Sequence, residues 1–288
     1  MSIELRDKFI GYVDILGFSS LTYAVEEGRH FTWDQFAELI KALGTEFDKK
    51  AIHDYGPTVC PTAPRIQNNL DFQLTQAWDS VVISTETSPA GAISLVSHCF
   101  KACARLLRHG VMCRGYIARG KIFHLDNVVL GSAHVNAVMK EKHVSFYQQE
   151  GQEDGTPFIE VSPDIVDFID TQSDECVKEM FSRMTLTHDG LCAIFPFKRF
   201  NAEGTTSDLN KLKANNIAIR KEIHILQQRV QKLVETSAAK DIGRSLCYLR
   251  ALEEQLQSCD ELDQDISDLQ QPFGHRMTGR AFPGLFQD

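Results

Sequence analysis

Residues 8–14 (KFIGYVD) run apolar and alternate like a short strand that ends at Asp14. Thr32 and Gln35 form a T-x-x-Q capping signal, and Trp33, Phe36, Leu39, Ile40, Leu43 and Phe47 then recur at helical spacing. Residues 51–69 hold Gly56, Pro57, Pro61, Pro64, Asn68 and Asn69 and read as a loop. Two strand-like runs follow at 70–76 and 81–85, and Ala77 to Ser80 between them has the length of a hairpin turn. Ser88 as N-cap, Pro89 in the first turn and Gly110 as the stop bracket a helix whose apolar face is Ile93, Val96, Phe100, Cys103 and Leu107. Residues 111–118 and 121–123 look like strands, followed by a turn at Asp126-Asn127 and a helix over about 132–142. Further strands are predicted at 158–162 and 191–197, with a loop at 148–157 and a helix starting at Pro163. This order predicts an α/β or α+β sandwich in which helices cover a mixed sheet.

The last third of the chain has a different period. Leu209, Leu212, Asn216, Ile219, Ile223, Leu226, Val230 and Leu233 alternate steps of three and four, a heptad seam whose one polar member, Asn216, suits a register-fixing role. Ile242, Leu246, Leu249, Leu252, Leu256, Cys259, Leu262, Ile266 and Leu269 repeat similarly, and either Thr236-Ser237 or Asp241 to Gly243 separates the runs. Two long helices folded back as a hairpin are predicted, the first about 36 Å long. The alternative is one continuous coiled coil paired across a dimer. The tail, 271–288, is rich in Pro and Gly, holds Phe273, Phe282 and Phe286, and is expected to pack back on the domain.

Composition narrows the function classes. The 288 residues carry 30 Lys+Arg against 39 Asp+Glu, a net charge of −9, which argues against a partner that is a nucleic-acid polymer. Yet no acidic residue lies between Glu86 and Asp126, where Lys101, Arg105, Arg108, Arg114, Arg119 and Lys121 are found. A cationic segment in an anionic chain suits a small polyanion; a solvated helix face is the plainer reading. No apolar run reaches membrane-spanning length, and the start, MSIELRDKF, has no signal core. Eight cysteines without a C-x-x-C pair read as reduced, mostly buried thiols of a cytoplasmic protein.

Familiar catalytic motifs fail. Gly115 to Lys121 resembles a phosphate-binding loop, but Ile122 stands where a metal-binding hydroxyl is needed and the flanks are strands. No G-x-S-x-G elbow and no H-E-x-x-H is present. Two aspartates in unusual settings remain: Asp14 at the end of an apolar strand and Asp79 at the tip of the predicted hairpin. A carboxylate among buried neighbours is costly unless it is paired or holds a cation. Oxygen ligands from two strands suit Mg²⁺ or Mn²⁺ bridging substrate phosphates. The alternative is that each simply caps a turn.

VDILGFSSL (13–21), WDSVVIST (78–85), RGYIARGKIF (114–123) and GSAHVNAVMKEK (131–142) together resemble the class III nucleotidyl cyclases, and more closely the pyrimidine nucleotide cyclases of bacterial Pycsar anti-phage systems. The resemblance covers about residues 8–200 and implies an α+β fold with a mixed or antiparallel sheet covered by helices. A cyclase domain would span 1–204, with the helical hairpin (205–270) as an elaboration and 271–288 as the tail. It further implies that Asp14, Asp79 and the Ile15 carbonyl hold two Mg²⁺ or Mn²⁺ ions. Gly17, Phe18 and Ser19 would line the triphosphate, and Arg114 would contact base or phosphate.

Asn136 and Lys140 match the family's Asn and Arg that reach across a homodimer interface, with Lys in place of Arg. Lys supplies a point charge and not a planar fork, so Arg119 and Lys121 are the nearest substitutes for that role. The implied reaction converts UTP or CTP to its 3′,5′-cyclic monophosphate and pyrophosphate. The product would be a messenger in antiviral defence, read by a separate effector. Gln73, Thr75, Gln76 and Arg114 are candidates for reading the base. A second reading is a non-catalytic cyclase-fold sensor or scaffold acting through the 205–270 helices.

Overall fold

The computed structural model describes residues 3–29, 31–148, 155–196, 208–236 and 239–270. Strand β1 (Arg6–Ile15) leads through helices α1 (Phe18–Glu26), α2 (Trp33–Ala42) and α3 (Glu46–Tyr55) to a hairpin of β2 (Gln73–Ala77) and β3 (Ser80–Glu86). Helix α4 (Pro89–Arg108) then returns the chain to β4 (Cys113–Leu125). The four strands lie in the order β2-β3-β1-β4, each antiparallel to its neighbour. This is the split β-α-β arrangement of a β-α-β-β-α-β unit. Alternation divides β1 between two faces. Phe9, Val13 and Ile15 enter the main core with α4, whereas Ile10 and Tyr12 join a smaller cluster with Ala133 and Ala137. Asp14 shares the parity of that second face.

Strand β5 (Val128–Leu130) folds back on β4, and helix α5 (Ser132–Glu141) crosses the second face. Beyond β4 the sheet continues through β6 (Ile159–Val161), parallel to β4, then β8 (Leu191–Ile194) and β7 (Thr185–His188) at the edge, making it mixed. Helices α6 (Pro163–Asp170) and α7 (Glu175–Ser182) link β6 to β7. The fold is therefore α+β with a mixed, largely antiparallel sheet.

Helices α8 (Leu209–Thr236) and α9 (Ala239–Gln270) fold back on each other within one chain, so the hairpin forms and the continuous coiled coil does not. Asn216 is fully buried and its amide donates to the Cys259 carbonyl at 2.9 Å and to Asp263 at 2.8 Å, while Arg220 pairs with Asp260 and Asp263. The hairpin shares the sheet's core. Tyr248 is fully buried, its ring 5.0 Å from that of Phe158 and its hydroxyl 3.6 Å from the Cys103 sulfur. The tail at 271–288 and the 204/205 boundary lie outside the described residues.

The helix read from Trp33 to Phe47 is two helices. Gly44 breaks it at φ 138°, where a Cβ would come within 2.5 Å of Leu74 Cδ1. Thr45 and Asp48 then start α3 with a capping box of their own. Helix α3 buries no residue fully and takes in residues 51–55, the start of the span read as a loop. Helix α1 begins at Gly17 without a side-chain cap, and α7 and β7 complete the elements that periodicity missed. The runs at 111–118 and 121–123 merge into the single long strand β4.

Candidate active site

The ends of β1, β3 and β4 and the start of α1 converge on Asp14. In register, Asp14 lies between Ser80 on β3 and Arg114 on β4. The Ile15 amide donates to the Asp79 carbonyl at 2.9 Å, which ties the hairpin turn to the end of β1. That turn is tight: Trp78 and Asp79 alone join β2 to β3. Trp78 adopts φ 58° and is 85% exposed, a strained left-handed conformation for a bulky residue with little packing in return. Ser80 braces the turn by donating to the Ala77 carbonyl at 3.0 Å.

Three carboxylates, Asp14, Asp79 and Glu141, feel one another's charge here. Burial, then the charge of Asp79, then that of Glu141, pushes the Asp14 carboxyl up to about 7, against the pull of Arg114. The Tyr12 hydroxyl is raised by burial and by the same three carboxylates, against the opposing influence of Ser80. Glu141 is the last member of the α5 stripe Ala133, Ala137, Glu141 that faces the sheet. It accepts from Arg114 Nε at 2.5 Å, with both side chains nearly out of solvent. A Cβ on Gly155 would lie 3.0 Å from the Arg114 guanidinium and 2.9 Å from the Lys142 carbonyl, so only glycine passes here without displacement. The cluster is thus acidic with one built-in cation, and that cation is already paired.

Gly17 closes the site from the α1 side. It is the N-cap of α1 in the left-handed region, φ 73°. Nothing lies within 4 Å of its would-be Cβ, so the demand for glycine is conformational and the approach to the helix start is open. Phe18 and Ser19 form the first turn behind it; Phe18 packs on Phe36 at 5.1 Å and Ser19 is exposed.

Asp14, Ile15, Gly17, Phe18, Ser19, Asp79 and Arg114 are therefore gathered around one end of the sheet. Other candidates are not. Arg119 and Arg114 are five positions apart on a regular strand, an odd number that sends them to opposite faces and about 17 Å apart. Arg119 pairs with Asp7 at 2.7 Å and lies over the rings of Phe9 and Phe168. Lys121 lies further along, in register with Asp7. Asn136 and Lys140 occupy the exposed side of α5, turned away from the cluster in their own chain. Thr75 is occupied by His124 and the Asp126 carbonyl, and Gln76 donates to the Ile40 carbonyl at 2.8 Å. Glu141 and Tyr12 escaped the motif reading. A carboxylate ending a stripe of small buried residues was the available signal for Glu141.

No protein-family model and no curated protein matches the chain. Among solved structures it is similar to a class III adenylyl cyclase-like ATP-binding protein from Pseudomonas aeruginosa, at 10% identity and a TM-score of 0.32. The similarity covers 57% of this chain and 35% of that one, about a third of its length. A likeness of this size assigns neither family nor function. Among the described residues, no helix is long and apolar enough to cross a membrane.

Proposed function

We propose that the protein is a nucleotidyl cyclase of class III type. It would join the ribose 3′-oxygen of a pyrimidine nucleoside triphosphate, UTP ahead of CTP, to the α-phosphorus and release pyrophosphate. The observation that carries this reading is the approach of Asp79, in the β2–β3 turn, to Asp14 at the end of β1, with the Asp14 carboxyl held at about 7 by burial and by its acidic neighbours. Such a pair binds cations readily, because a cation relieves both the repulsion and the desolvation.

The donor chemistry fits Mg²⁺ or Mn²⁺: hard carboxylate oxygens, with the Ile15 carbonyl adjacent in the chain. Among the described residues no three His, Cys, Asp or Glu side chains form a metal cluster, so phosphate oxygens and water would complete the shell, as Mg²⁺ prefers. Two bound ions would supply Lewis-acid activation of the hydroxyl and neutralise the leaving pyrophosphate. The protein's own part is positioning. Asp14 and Asp79 would hold the charged end of the substrate at the end of the sheet's central strands. Gly17, Phe18 and Ser19 offer first-turn amides to phosphate oxygens, as helix starts do. Arg114 is held in one place beside Asp14 by Glu141.

The active unit in this reading is a homodimer that brings Asn136 and Lys140 to the partner's site. Supporting it, Val128, Leu130, Val135 and Met139 are exposed apolar residues on β5 and α5 around those two side chains. The choice of pyrimidine and the role of the product as an antiviral messenger read by an effector follow from the motif resemblance, and the cytoplasmic setting from the reduced cysteines. One observation favours the second reading, a non-catalytic sensor acting through the hairpin: Arg114 is already neutralised by Glu141. Incubating the protein with Mn²⁺ and each of the four nucleoside triphosphates, then resolving products by mass, decides between them. Cyclic UMP or cyclic CMP that disappears in Asp14→Asn and Asp79→Asn supports catalysis. No cyclic product from any of the four overturns it.

A further inference from the structure

Trp78 is the first of the two residues that join β2 to β3, and of the pair it alone has a positive φ, 58°. A bulky side chain is costly there, and the position suits glycine. Packing does not offset that cost: the indole is 85% exposed and makes no ring contact or side-chain hydrogen bond among the described residues. Trp33, the second tryptophan of the chain, differs, since it packs edge-on against Phe36 at 6.1 Å. The turn that carries Trp78 is not loose. Ser80 donates to the Ala77 carbonyl at 3.0 Å, and the Ile15 amide holds the Asp79 carbonyl at 2.9 Å. A braced turn therefore carries one uncovered aromatic ring next in the chain to Asp79, whose carboxylate is proposed to hold the phosphates.

The side chains that the sequence offers for reading the base are already engaged. Arg114 is held by Glu141, Thr75 by His124 and the Asp126 carbonyl, and Gln76 by the Ile40 carbonyl. Gln73 is buried at the end of β2 remote from the turn. We propose that Trp78 is the platform on which the nucleotide's base stacks when its phosphates sit at Asp14 and Asp79. The inference rests on the cyclase reading and deepens it. Stacking on an aromatic face favours any base, because every base has a π-face. Trp78 thus supplies affinity and does not choose between pyrimidines and purines. The strained conformation persists because the bound state uses the side chain that the free protein leaves in water.

The test uses the full chain with Trp33→Phe, which leaves Trp78 as the one tryptophan. It is titrated with 3′-deoxy-UTP and Mg²⁺, which cannot turn over because the attacking 3′-oxygen is missing, and calorimetry follows binding in parallel. The expected result is that Trp78 emission is quenched in step with calorimetric saturation and that acrylamide then reaches the indole less readily. Trp78→Gly should bind 3′-deoxy-UTP about tenfold more weakly, and lose a similar factor for 3′-deoxy-CTP and 3′-deoxy-ATP. Its unfolding midpoint without nucleotide should match or exceed the wild-type value, because glycine relieves the positive φ. Trp78→Phe should keep most of the affinity. Calorimetric binding that leaves Trp78 emission and acrylamide access unchanged overturns the proposal and spares the cyclase reading. So does Trp78→Gly binding as tightly as wild type, or an indole covered by self-association before nucleotide is added. No binding of any of the three nucleotides to wild type overturns both.

Discussion

Replacing Asp14 by Asn keeps the side chain's shape and removes its charge, and the structure sets the sign of the effect. Burial, then Asp79, then Glu141 raise the Asp14 carboxyl from 3.8 to about 7. A group whose folded pKa is raised contributes stability fully below its unfolded value, and that contribution is lost as pH rises through the folded value. The window for Asp14 is therefore from 3.8 to about 7. The ceiling is about 4 kcal/mol, at about 1.36 kcal/mol per pH unit; with the side chain only partly out of solvent, about 2 kcal/mol is the expected magnitude. In EDTA, urea denaturation should find Asp14→Asn more stable than wild type by about that amount near pH 8 and nearly equal near pH 4. His124 titrates too: burial lowers it to about 3, so it removes stability as pH falls below the ordinary histidine range. It does so in both proteins and cancels in the difference. Added Mn²⁺ should stabilise wild type and not the variant. An Asp14→Asn protein less stable than wild type across the range, or a difference that does not change with pH, refutes the reasoning.

Arg114→Ala leaves the Glu141 carboxylate buried without its partner and should cost about 3 kcal/mol in chemical denaturation. Adding Glu141→Gln should recover part of that loss, so the double mutant should be more stable than the sum of the single changes predicts. Tyr248→Ala removes a fully buried ring that joins α9 to Phe158 and Cys103, and should cost about 3–5 kcal/mol of a single cooperative transition. A calorimetric trace with two separated transitions would show instead that hairpin and sheet unfold independently.

Asp14 stood out as a lone carboxylate ending an apolar strand, and Asp79 as the carboxylate at the tip of a predicted hairpin. The hairpin was legible from its heptads, and Asn216 from being their one polar member. Glu141 was hidden because its significance comes from packing α5 across the second face, a contact between distant segments. Arg119 illustrates the reverse. Its basic neighbourhood suggested a role, but strand parity already sends it to the face opposite Arg114, where Asp7 engages it. Helix α3 has Phe47, Ala51, Ile52 and Tyr55 at helical spacing, but the Gly and Pro residues just after it made its second half read as loop. The strain at Trp78 is likewise invisible in sequence, since the favoured turn chemistry would have placed glycine or asparagine there.

Crystals grown with Mn²⁺ and a non-cyclisable UTP analogue provide the most direct measurement, read by anomalous scattering at the manganese edge. The predicted result is metal density touching one carboxylate oxygen of Asp14 and one of Asp79, with the analogue's phosphates on the opposite side toward Gly17. Bound analogue with manganese seated elsewhere, and the two aspartates bonded only to protein, would contradict the account.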